Sequence, residues 1–350
     1  MASLHDIPNI IKRAIATGAN LELLGDPAIG KTSIIEQTIA MIQKKDSKFG
    51  YWSLYTPSLS PLDFIAVVPN QKSKVLTTYH NDRLPNRFDN PDLRGVLFLG
   101  ERNNADLATN KALQKYINNE DMGGLQKPKG VIVISDSNKL EHRSGTVHQS
   151  LALLSRSRMI NIDCVADETL KYFHEIGVHE LILAFLTLRK EHVNEFKKVI
   201  DTNRYGVWAN PRAWERLSVS MQNADQEQET LTVDEITGDI GDPVGQEFIA
   251  FVQTAKSLVP YETVVADPEK ALQPENISDT YAVIAMLALS INTKDFPQIK
   301  KYIQRYSTEL QVLFLRLLAT NKKATTTLIG MVSYRKWFTE SPELQKALTL

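Results

Sequence analysis

The chain has 350 residues, of which 43% are hydrophobic and 23% are charged, the composition of an ordinary globular protein. Its formal net charge of −1 gives no polycation signature for nucleic acid or for an anionic membrane surface. The one cysteine, Cys164, excludes an intramolecular disulfide, and no stretch reaches the roughly 18 consecutive apolar residues of a membrane span. We therefore expect a cytoplasmic protein without a membrane partner, and nucleic acid is not indicated.

The first 165 residues alternate predicted helices and strands. Strands are predicted at 21–24, 51–55, 96–99, 131–134 and 159–162, and helices at 8–18, 34–42, 105–118 and 150–154. The segment 68–94 is polar and broken by prolines, which predicts mostly loop. The alternation predicts an α/β fold with a parallel sheet covered by helices on both faces, and the apolar runs VLFL and VIVI fit strands buried on both sides.

From about residue 166 onward, the apolar positions recur with helical spacing. Helices are predicted at 168–175, 178–189, 191–200, 211–222, 244–257, 279–291, 296–304, 308–319 and 343–348. The stretch 223–242 is rich in Gln, Asp and Glu and predicts a flexible connection, and another loop is expected around 265–276. An α/β domain over 1–165 is therefore followed by helices.

The strongest chemical signal is GDPAIGKT at residues 25–32, which matches G-x-x-x-x-G-K-[ST] between a predicted strand and a predicted helix. Its glycines let backbone N–H groups turn toward phosphate oxygens, and the helix N-terminus favours an anion. We expect Lys31 to reach the β- and γ-phosphates and the Thr32 hydroxyl to coordinate magnesium. The candidate binding residues are Gly25, Asp26, Pro27, Ala28, Ile29, Gly30, Lys31, Thr32 and Ser33.

Polar side chains follow two of the later predicted strands. VLFLGE ends in Glu101, which is placed to polarise an attacking water, although a solvated acid after a buried strand is the alternative. VIVISDSN ends in Asp136 and Asn138. The amide of Asn138 suits a hydrogen bond to the attacking water or to the γ-phosphate, whereas capping of the local backbone is the more common role of such a residue.

Three arginines are candidates for contact with phosphate. LLSRSR places Arg156 and Arg158 between a helix and a strand, where a planar guanidinium suits a neighbouring subunit's γ-phosphate, although most surface arginines are only solvated. In NPRAW, Pro211 suits the first turn of a helix and places Arg212 near its positive end. This position is unfavourable for a cation unless the guanidinium has an anionic partner.

Together and in this order, GDPAIGKT, VLFLGE, VIVISDSN, LLSRSR and NPRAW resemble AAA+ ATPases, and specifically the MoxR-like group of phages and bacteria. The resemblance implies a P-loop AAA+ sheet over 1–165, a helical lid over 166–257 and a helical C-terminal extension over 258–350. It implies an ATP hydrolase that uses Mg²⁺, forms a homo-oligomeric ring, commonly a hexamer, and acts as a chaperone-like remodeller. A von Willebrand factor A-domain protein would be its partner, in the cytoplasm of a bacterium or of a phage-infected host.

The resemblance also implies roles for individual residues. Lys31 and Thr32 bind phosphate and magnesium, Glu101 is the catalytic glutamate, and Asn138 is the sensor-one asparagine. Arg156 faces the neighbour's nucleotide, with Arg158 as a close alternate. Arg212 matches the sensor-two arginine, whose anionic partner would be the γ-phosphate.

Two positions depart from the family. Gly100 stands where the family has the magnesium-orienting aspartate, and Asn104 stands where it often has arginine. The loss at Gly100 puts the rate of hydrolysis in doubt more than nucleotide binding. In the AAA+ strand order the VIVI strand lies about 4.8 Å from the VLFL strand, so we hypothesise that Asp136 supplies the missing carboxylate. The alternative is that Asp136 only caps a turn.

Other functions stay open at this point. A nucleotide-binding scaffold or switch that hydrolyses poorly is one alternative, and a DNA-handling AAA+ accessory factor is another, which the near-neutral charge disfavours weakly. A remodeller would contact its client through the loop 58–64 and the segment 70–90. Pro61, Leu62 and Phe64 are candidates for that contact, although packing against a neighbouring helix is favoured for Phe64.

Overall fold

The computed structural model describes residues 2–138, 157–202, 206–257, 259–289, 291–320 and 322–339. The chain forms two compact units, residues 1–165 and 166–350. The assignment of the second unit to a lid and a C-terminal extension stays a prediction. Within the described residues, no helix is both long and apolar enough to cross a membrane.

The described part of the first unit alternates strands and helices. Its strands are β1 (Ala2–Ser3), β2 (Leu21–Gly25), β3 (Gly50–Tyr55), β4 (Ile65–Asn70), β5 (Val75–His80), β6 (Arg94–Gly100), β7 (Gly130–Ser137) and β8 (Arg158–Asp163). Its helices are α1 (Ile7–Thr17), α2 (Lys31–Gln43) and α3 (Leu107–Ile117). Local signals set the ends of these helices, since Gly18 ends α1 with a φ of 68° and the Asp106 side chain caps the start of α3. The helix predicted at 150–154 lies outside the described residues.

Six of these strands form one sheet in the order β1-β8-β2-β7-β6-β3, and every pair in it is parallel. β7 lies beside β6, as predicted, and its other neighbour is β2. The carboxyl ends of parallel strands meet at one edge of a sheet, where α/β proteins bind their ligands. That edge carries Gly25, Gly100 and Ser137, the last residues of β2, β6 and β7.

The apolar runs of β6 and β7 are divided between the two faces of the sheet. Val96 and Phe98 pack in a buried cluster that includes residues of α1 and α2. Leu97 and Leu99 pack in a second cluster that includes residues of α3. Successive side chains of a strand point to opposite faces, so both faces of β6 are buried. The predicted fold class, an α/β fold with a parallel sheet flanked by helices and followed by a helical part, is confirmed.

A β-hairpin corrects the prediction of mostly loop over 68–94. β4 and β5 pair antiparallel, from Ile65 opposite His80 to Asn70 opposite Val75. Pro69 is tolerated here because a strand in a two-stranded sheet has an unpaired edge that requires no N–H. The sequence signal was weak because this small sheet has no buried face that would impose a strict apolar and polar alternation.

In the described residues of the second unit, the regular structure is helical. The helices are α4 (Ala166–Ile176), α5 (Glu180–Leu188), α6 (Phe196–Asp201), α7 (Pro211–Glu227), α8 (Val233–Ile240), α9 (Asp242–Ser257), α10 (Tyr261–Ala266), α11 (Ile277–Leu289), α12 (Phe296–Ile303), α13 (Thr308–Thr320), α14 (Lys322–Leu328) and α15 (Val332–Thr339). The helix predicted at 343–348 lies outside the described residues.

The second unit corrects two predictions. The stretch 223–242 was expected to be a flexible connection, but α7 continues to Glu227 and α8 begins at Val233. Thr232 and Glu235 form a capping box at the start of α8, a local signal that outweighs the polar composition. The single helix predicted over 191–200 is replaced by a 3-10 turn, Lys190–Val193, and by α6.

A buried lysine precedes β7. Lys127 is 5% exposed, and its Nζ donates to the backbone oxygen of Val131 at 2.6 Å. Burial lowers the pKa of Lys127 to about 8, because the charged form is poorly solvated there. In the unfolded chain a lysine pKa is about 10.4. Below pH 8 both states are protonated and the full cost of burying the charge is present; stability should rise with pH between about 8 and 10, where the unfolded chain holds more protons.

Replacing Lys127 by Met should therefore stabilise the protein. We expect Lys127→Met to increase the free energy of unfolding at pH 7 by about 2 kcal/mol, the cost of burying the charge less the lost hydrogen bond. It should also remove the rise in stability above pH 8, as measured by urea unfolding at several pH values. Lys129→Met, a change at an exposed neighbour, is the control and should keep that rise. A loss of stability in Lys127→Met would contradict this account.

Candidate nucleotide-binding site

The loop between β2 and α2 has the backbone shape that a phosphate cradle requires. Ala28 and Gly30 adopt left-handed conformations, with φ of 61° and 96°. Gly30 immediately precedes α2, so the loop turns directly into the positive end of that helix. Ile29 between them is 2% exposed and packs in the core cluster of α1 and α2. The buried apolar side chain thus anchors the loop at the positive end of α2.

Lys31 is buried at the start of α2 and folds back over the loop. Its Nζ donates to the backbone oxygens of Gly25 at 3.0 Å and Asp26 at 2.7 Å, and to Asn138 Oδ1 at 3.3 Å. The lysine therefore joins the phosphate loop to the end of β7. Two residues predicted to contact the γ-phosphate, Lys31 and Asn138, are brought together.

Asp136 connects three parts of the site. Its Oδ2 accepts a hydrogen bond from the Thr32 hydroxyl at 3.1 Å, and its Oδ1 accepts from the backbone N–H of Glu101 at 2.8 Å. Burial raises the pKa of Asp136, while the Glu101 N–H, the Lys31 ammonium and the Thr32 hydroxyl oppose that rise. The carboxylate is thus oriented from both sides, and one of its oxygens lies next to the hydroxyl that was predicted to coordinate magnesium.

Asp136 and Gly100 lie on the same face of the sheet. Leu99 of β6 pairs with Ser135 of β7, and Gly100 and Asp136 are the next residues along these two strands. Phe98, two residues before Gly100, packs in the same cluster as Ile134, two residues before Asp136. Side chains two apart on a strand share a face. Any side chain at position 100 would therefore point to the side of the sheet where Asp136 meets Thr32.

Glu101 follows β6 in a left-handed conformation, with φ 52° and ψ 43°. Its Oε2 accepts hydrogen bonds from the Tyr55 hydroxyl at 3.2 Å and from Asn104 Nδ2 at 3.0 Å. The negative charge of Glu101 raises the pKa of Tyr55. Sequence analysis did not name Tyr55, although it ends the strand that pairs with β6 and lies opposite Gly100. That placement at the carboxyl end of a neighbouring strand was the available signal.

A further asparagine holds the end of β7. The Asn103 side chain donates to the backbone oxygen of Asn138 and accepts from its backbone N–H at 3.4 Å. The residues after β6 and the residues after β7 are therefore linked, which fixes the position of the Asn138 side chain beside Lys31.

The structure does not bring Arg158 to the phosphate loop of its own chain. Arg158 begins β8 and pairs with Leu21, whereas Gly25 at the loop pairs with Ile162. Arg158 is exposed and lies four residues, about 13 Å, from the carboxyl edge of the sheet. Arg156 lies outside the described residues. A role of either arginine at a neighbour's nucleotide stays a prediction.

Arg212 is the second residue of α7 and is exposed. The helix begins at Pro211 as predicted, and the Asn210 side chain caps it by accepting from the Ala213 N–H at 3.0 Å. Within this unit the guanidinium lowers the pKa of Glu215, opposing a larger rise from burial. The sensor-two role of Arg212 stays a prediction.

The donor groups of the site fit Mg²⁺. Magnesium prefers oxygen ligands and is usually bound by one or two carboxylates together with substrate phosphates and water. The Thr32 hydroxyl and the Asp136 carboxylate, 3.1 Å apart, offer such oxygens. Gly100 has no side chain and adds none. These two residues are therefore the ones that would hold the ion beside a bound nucleotide.

The strand order β8-β2-β7-β6-β3, a phosphate loop at the carboxyl end of β2, and the lysine and threonine that begin α2 define a P-loop nucleotide-binding fold. No family model matches the sequence, and no curated protein matches it.

Three solved structures are similar in part. A candidate ATPase from Cytophaga hutchinsonii has a TM-score of 0.34 and 16% identity, over 67% of this chain and 80% of its own. One point mutant of RuvB from Thermotoga maritima has a TM-score of 0.37 and 14% identity, over 75% and 74% of the two chains. A second point mutant of the same RuvB has a TM-score of 0.36 and 14% identity, over 75% and 73%. Likenesses of this strength do not establish a family or an activity.

The geometry around β6 predicts that Gly100 is not required for space. A Cβ at Gly100 would meet no atom closer than 3.6 Å, whereas a Cβ at Gly95 on the same strand would lie 2.2 Å from the Gly50 backbone oxygen. We expect Gly100→Ala to change the free energy of unfolding by less than about 1 kcal/mol, and Gly95→Ala to destabilise by about 1–3 kcal/mol or more. Equal losses in urea unfolding of the two variants would contradict this.

Proposed function

We propose that the protein is a magnesium-dependent ATP hydrolase of the AAA+ type, similar to the MoxR-like branch, that works in the cytoplasm as a ring and remodels a protein partner. The observation that carries this proposal is one connected set of contacts. Lys31 and Thr32 of the phosphate loop are bonded to Asn138 and Asp136 at the end of β7, and Asp136 is bonded to Glu101 at the end of β6. The phosphate loop, the proposed metal ligand, the proposed base and Asn138 therefore meet at one edge of the sheet.

The residues divide the work of phosphoryl transfer. Backbone N–H groups of the loop and the N-terminus of α2 hold the phosphates, and Lys31 offsets their negative charge. Thr32 and Asp136 would hold Mg²⁺, which would supply neutralisation of the phosphate charge. Glu101 accepts a proton from the water that attacks the γ-phosphorus, and the Asn138 amide orients that water. Attack forms the new O–P bond while the bond to the β-phosphate oxygen breaks, which yields ADP and phosphate.

Asp136 is proposed to take the role that an acid at position 100 would have. Its Oδ2 lies 3.1 Å from the Thr32 hydroxyl, on the face of the sheet that a side chain at Gly100 would occupy. An acid that only capped a turn would accept hydrogen bonds from residues close to it in the chain. Asp136 instead accepts from Thr32, which is 104 positions away, and from Glu101, which is 35 positions away. This long-range pairing supports the hypothesis of a displaced magnesium ligand.

Transferring the carboxylate from position 136 to position 100 should test whether Asp136 acts as the magnesium ligand. We expect Asp136→Asn to lower magnesium-dependent ATP turnover on the order of 100-fold while nucleotide affinity changes only a few-fold, because a ligand of the ion is lost and the phosphate contacts stay. Gly100→Asp in the Asp136→Asn background should recover at least about 10-fold, since a Cβ at Gly100 meets nothing closer than 3.6 Å.

Lys31→Ala is the control for loss of nucleotide binding in that experiment. Unchanged ATP turnover in Asp136→Asn would contradict the proposal that Asp136 is a magnesium ligand. The Gly100 departure also favours a second candidate, a nucleotide-binding scaffold that hydrolyses poorly. Tight ATP binding by the wild-type protein, with turnover no faster than in Lys31→Ala, would favour that scaffold over the hydrolase.

Exposed apolar side chains support contact with another protein. Leu62 before the hairpin is 75% exposed, and Leu76 and Tyr79 on β5 are 69% and 59% exposed. Phe64, by contrast, is 1% exposed and packs in the cluster beside α3, so its predicted packing role is confirmed. We propose that the exposed side chains of the two predicted segments, 58–64 and 70–90, meet the client or a von Willebrand factor A-domain partner.

Mixing two inactive variants should test the ring. Lys31→Ala lacks a working phosphate loop but keeps its arginines, and Arg156→Ala keeps the loop. If Arg156 acts on a neighbour's nucleotide, a 1:1 mixture should regain about a quarter of wild-type turnover, because one random interface in four combines both intact parts. The same mixture with Arg158→Ala shows which arginine acts in trans. No recovery with either arginine variant, each inactive alone, would contradict a shared site.

A further inference from the structure

A buried ion pair lies directly behind the proposed site. Arg102 Nη1 donates to Glu22 Oε2 at 2.8 Å, and the two side chains are 1% and 2% exposed. The hydroxyls of Ser135 and Ser137 on β7 also donate to the Glu22 carboxylate. Glu22 is in the middle of the sheet on β2, and Arg102 immediately follows Glu101. The pair therefore joins the strand of the phosphate loop to the residue next to the proposed catalytic base.

Stability alone does not account for this pair. Removing two charges from water carries a large desolvation penalty, and a pair of apolar residues of similar volume often gives an equally stable or more stable protein. The geometry here is also incomplete, because Arg102 Nε and Nη2 are buried and have no hydrogen-bond partner within the described residues. Buried N–H donors without a hydrogen-bond partner destabilise the folded protein, so an apolar side chain would fill this space at a lower cost in free energy.

The position of Glu101 offers a better explanation for the buried ion pair. Glu101 has a left-handed backbone, a conformation that is strained for a residue other than glycine and that persists only when its surroundings hold it. Its own N–H is held by Asp136, and the next side chain, Arg102, is held by Glu22. Glu22 lies three residues before Gly25 on the same strand, so this anchor and the phosphate loop belong to one rigid element.

We propose that Glu22 and Arg102 are positioning residues for Glu101. The ion pair fixes the corner after β6 to the strand of the phosphate loop, so that the Glu101 carboxylate is held at a set place relative to the bound γ-phosphate. Neither residue touches the nucleotide. The inference rests on the proposed hydrolase function for its catalytic consequence, but the fixed corner itself does not depend on that function.

The test neutralises both charges and keeps the shape. In Glu22→Gln/Arg102→Met, the glutamine oxygen still accepts from one of the two serine hydroxyls and its NH2 group donates to the other, whose hydroxyl rotates to accept. Methionine fills the space of the arginine stem. We expect kcat for ATP to fall about tenfold or more with nucleotide affinity within about threefold, because binding is intact and the base is displaced. The Glu101 backbone amide should exchange with solvent about tenfold faster, as measured by hydrogen exchange.

The matched control is the exposed ion pair at the other end of β6. Arg94 Nη2 lies 2.8 Å from Asp46 Oδ2, and Asp46→Asn/Arg94→Met makes the same kind of change there. It should leave kcat and the exchange of the Glu101 amide unchanged. If the double variant at the buried pair does not fold, Arg102→Lys takes its place, because it keeps both charges but loses the planar guanidinium, and a smaller fall in kcat of about threefold is expected.

The outcomes of this experiment separate the positioning role of the buried pair from the proposed hydrolase function. Wild-type kcat and wild-type exchange in the buried-pair variant would overturn the positioning role. An equal loss of nucleotide affinity and kcat would also overturn it, because the pair would then support the whole site. If the wild-type protein shows no turnover above Lys31→Ala, the proposed hydrolase fails, and the exchange of the Glu101 amide still decides whether the pair holds the corner.

Discussion

The hydrogen bonds of the Asp136 carboxylate are the interaction on which the rest of the site depends. β7 lies between the strand that leads into the phosphate loop and the strand that leads into Glu101. A carboxylate at its end is the shortest link between them, since one oxygen meets the Thr32 hydroxyl and the other meets the Glu101 N–H. The contacts of Asn103 with Asn138 and of Arg102 with Glu22 also join these strands, but only the Asp136 carboxylate bonds directly both to the proposed metal ligand Thr32 and to the proposed base Glu101.

The position of this acid follows from sheet geometry. Neighbouring strands lie about 4.8 Å apart, and equivalent residues at their ends point to the same face. A carboxylate can therefore be displaced by one strand and still reach the same hydroxyl. Displacement has a consequence for its chemistry, because Asp136 lies in the middle of the sheet, where burial raises its pKa. The Lys31 ammonium and the donors on either side oppose that rise and favour the ionised form.

The sequence predicted much of this arrangement and missed specific parts of it. Lys31, Thr32 and Asn138 were predicted to meet because the loop motif and the buried runs are local patterns, and the strand order follows from them once the fold class is known. The Glu22–Arg102 pair was not predictable in this way. Glu22 reads as a polar position on a short strand, and only the register of β2 against β7 shows that it is buried beside Ser135. The hairpin was missed for the related reason that its apolar residues are exposed.

Charge balance explains why the acid stands at one strand end and not at both. On one face of the sheet Asp136 lies near Lys31, and within the buried pair Glu22 faces Arg102, so each buried carboxylate has a cation. A second carboxylate at Gly100 would point to the face that Asp136 occupies, about 5 Å away on the neighbouring strand. Two carboxylates at so short a distance in a poorly solvated site cannot both stay ionised without a further cation. One of them would take up a proton and lose its value as a metal ligand. A carboxylate at position 100 and the carboxylate of Asp136 are therefore alternatives, and the glycine at the end of β6 adds no further negative charge beside an acid whose pKa burial already raises.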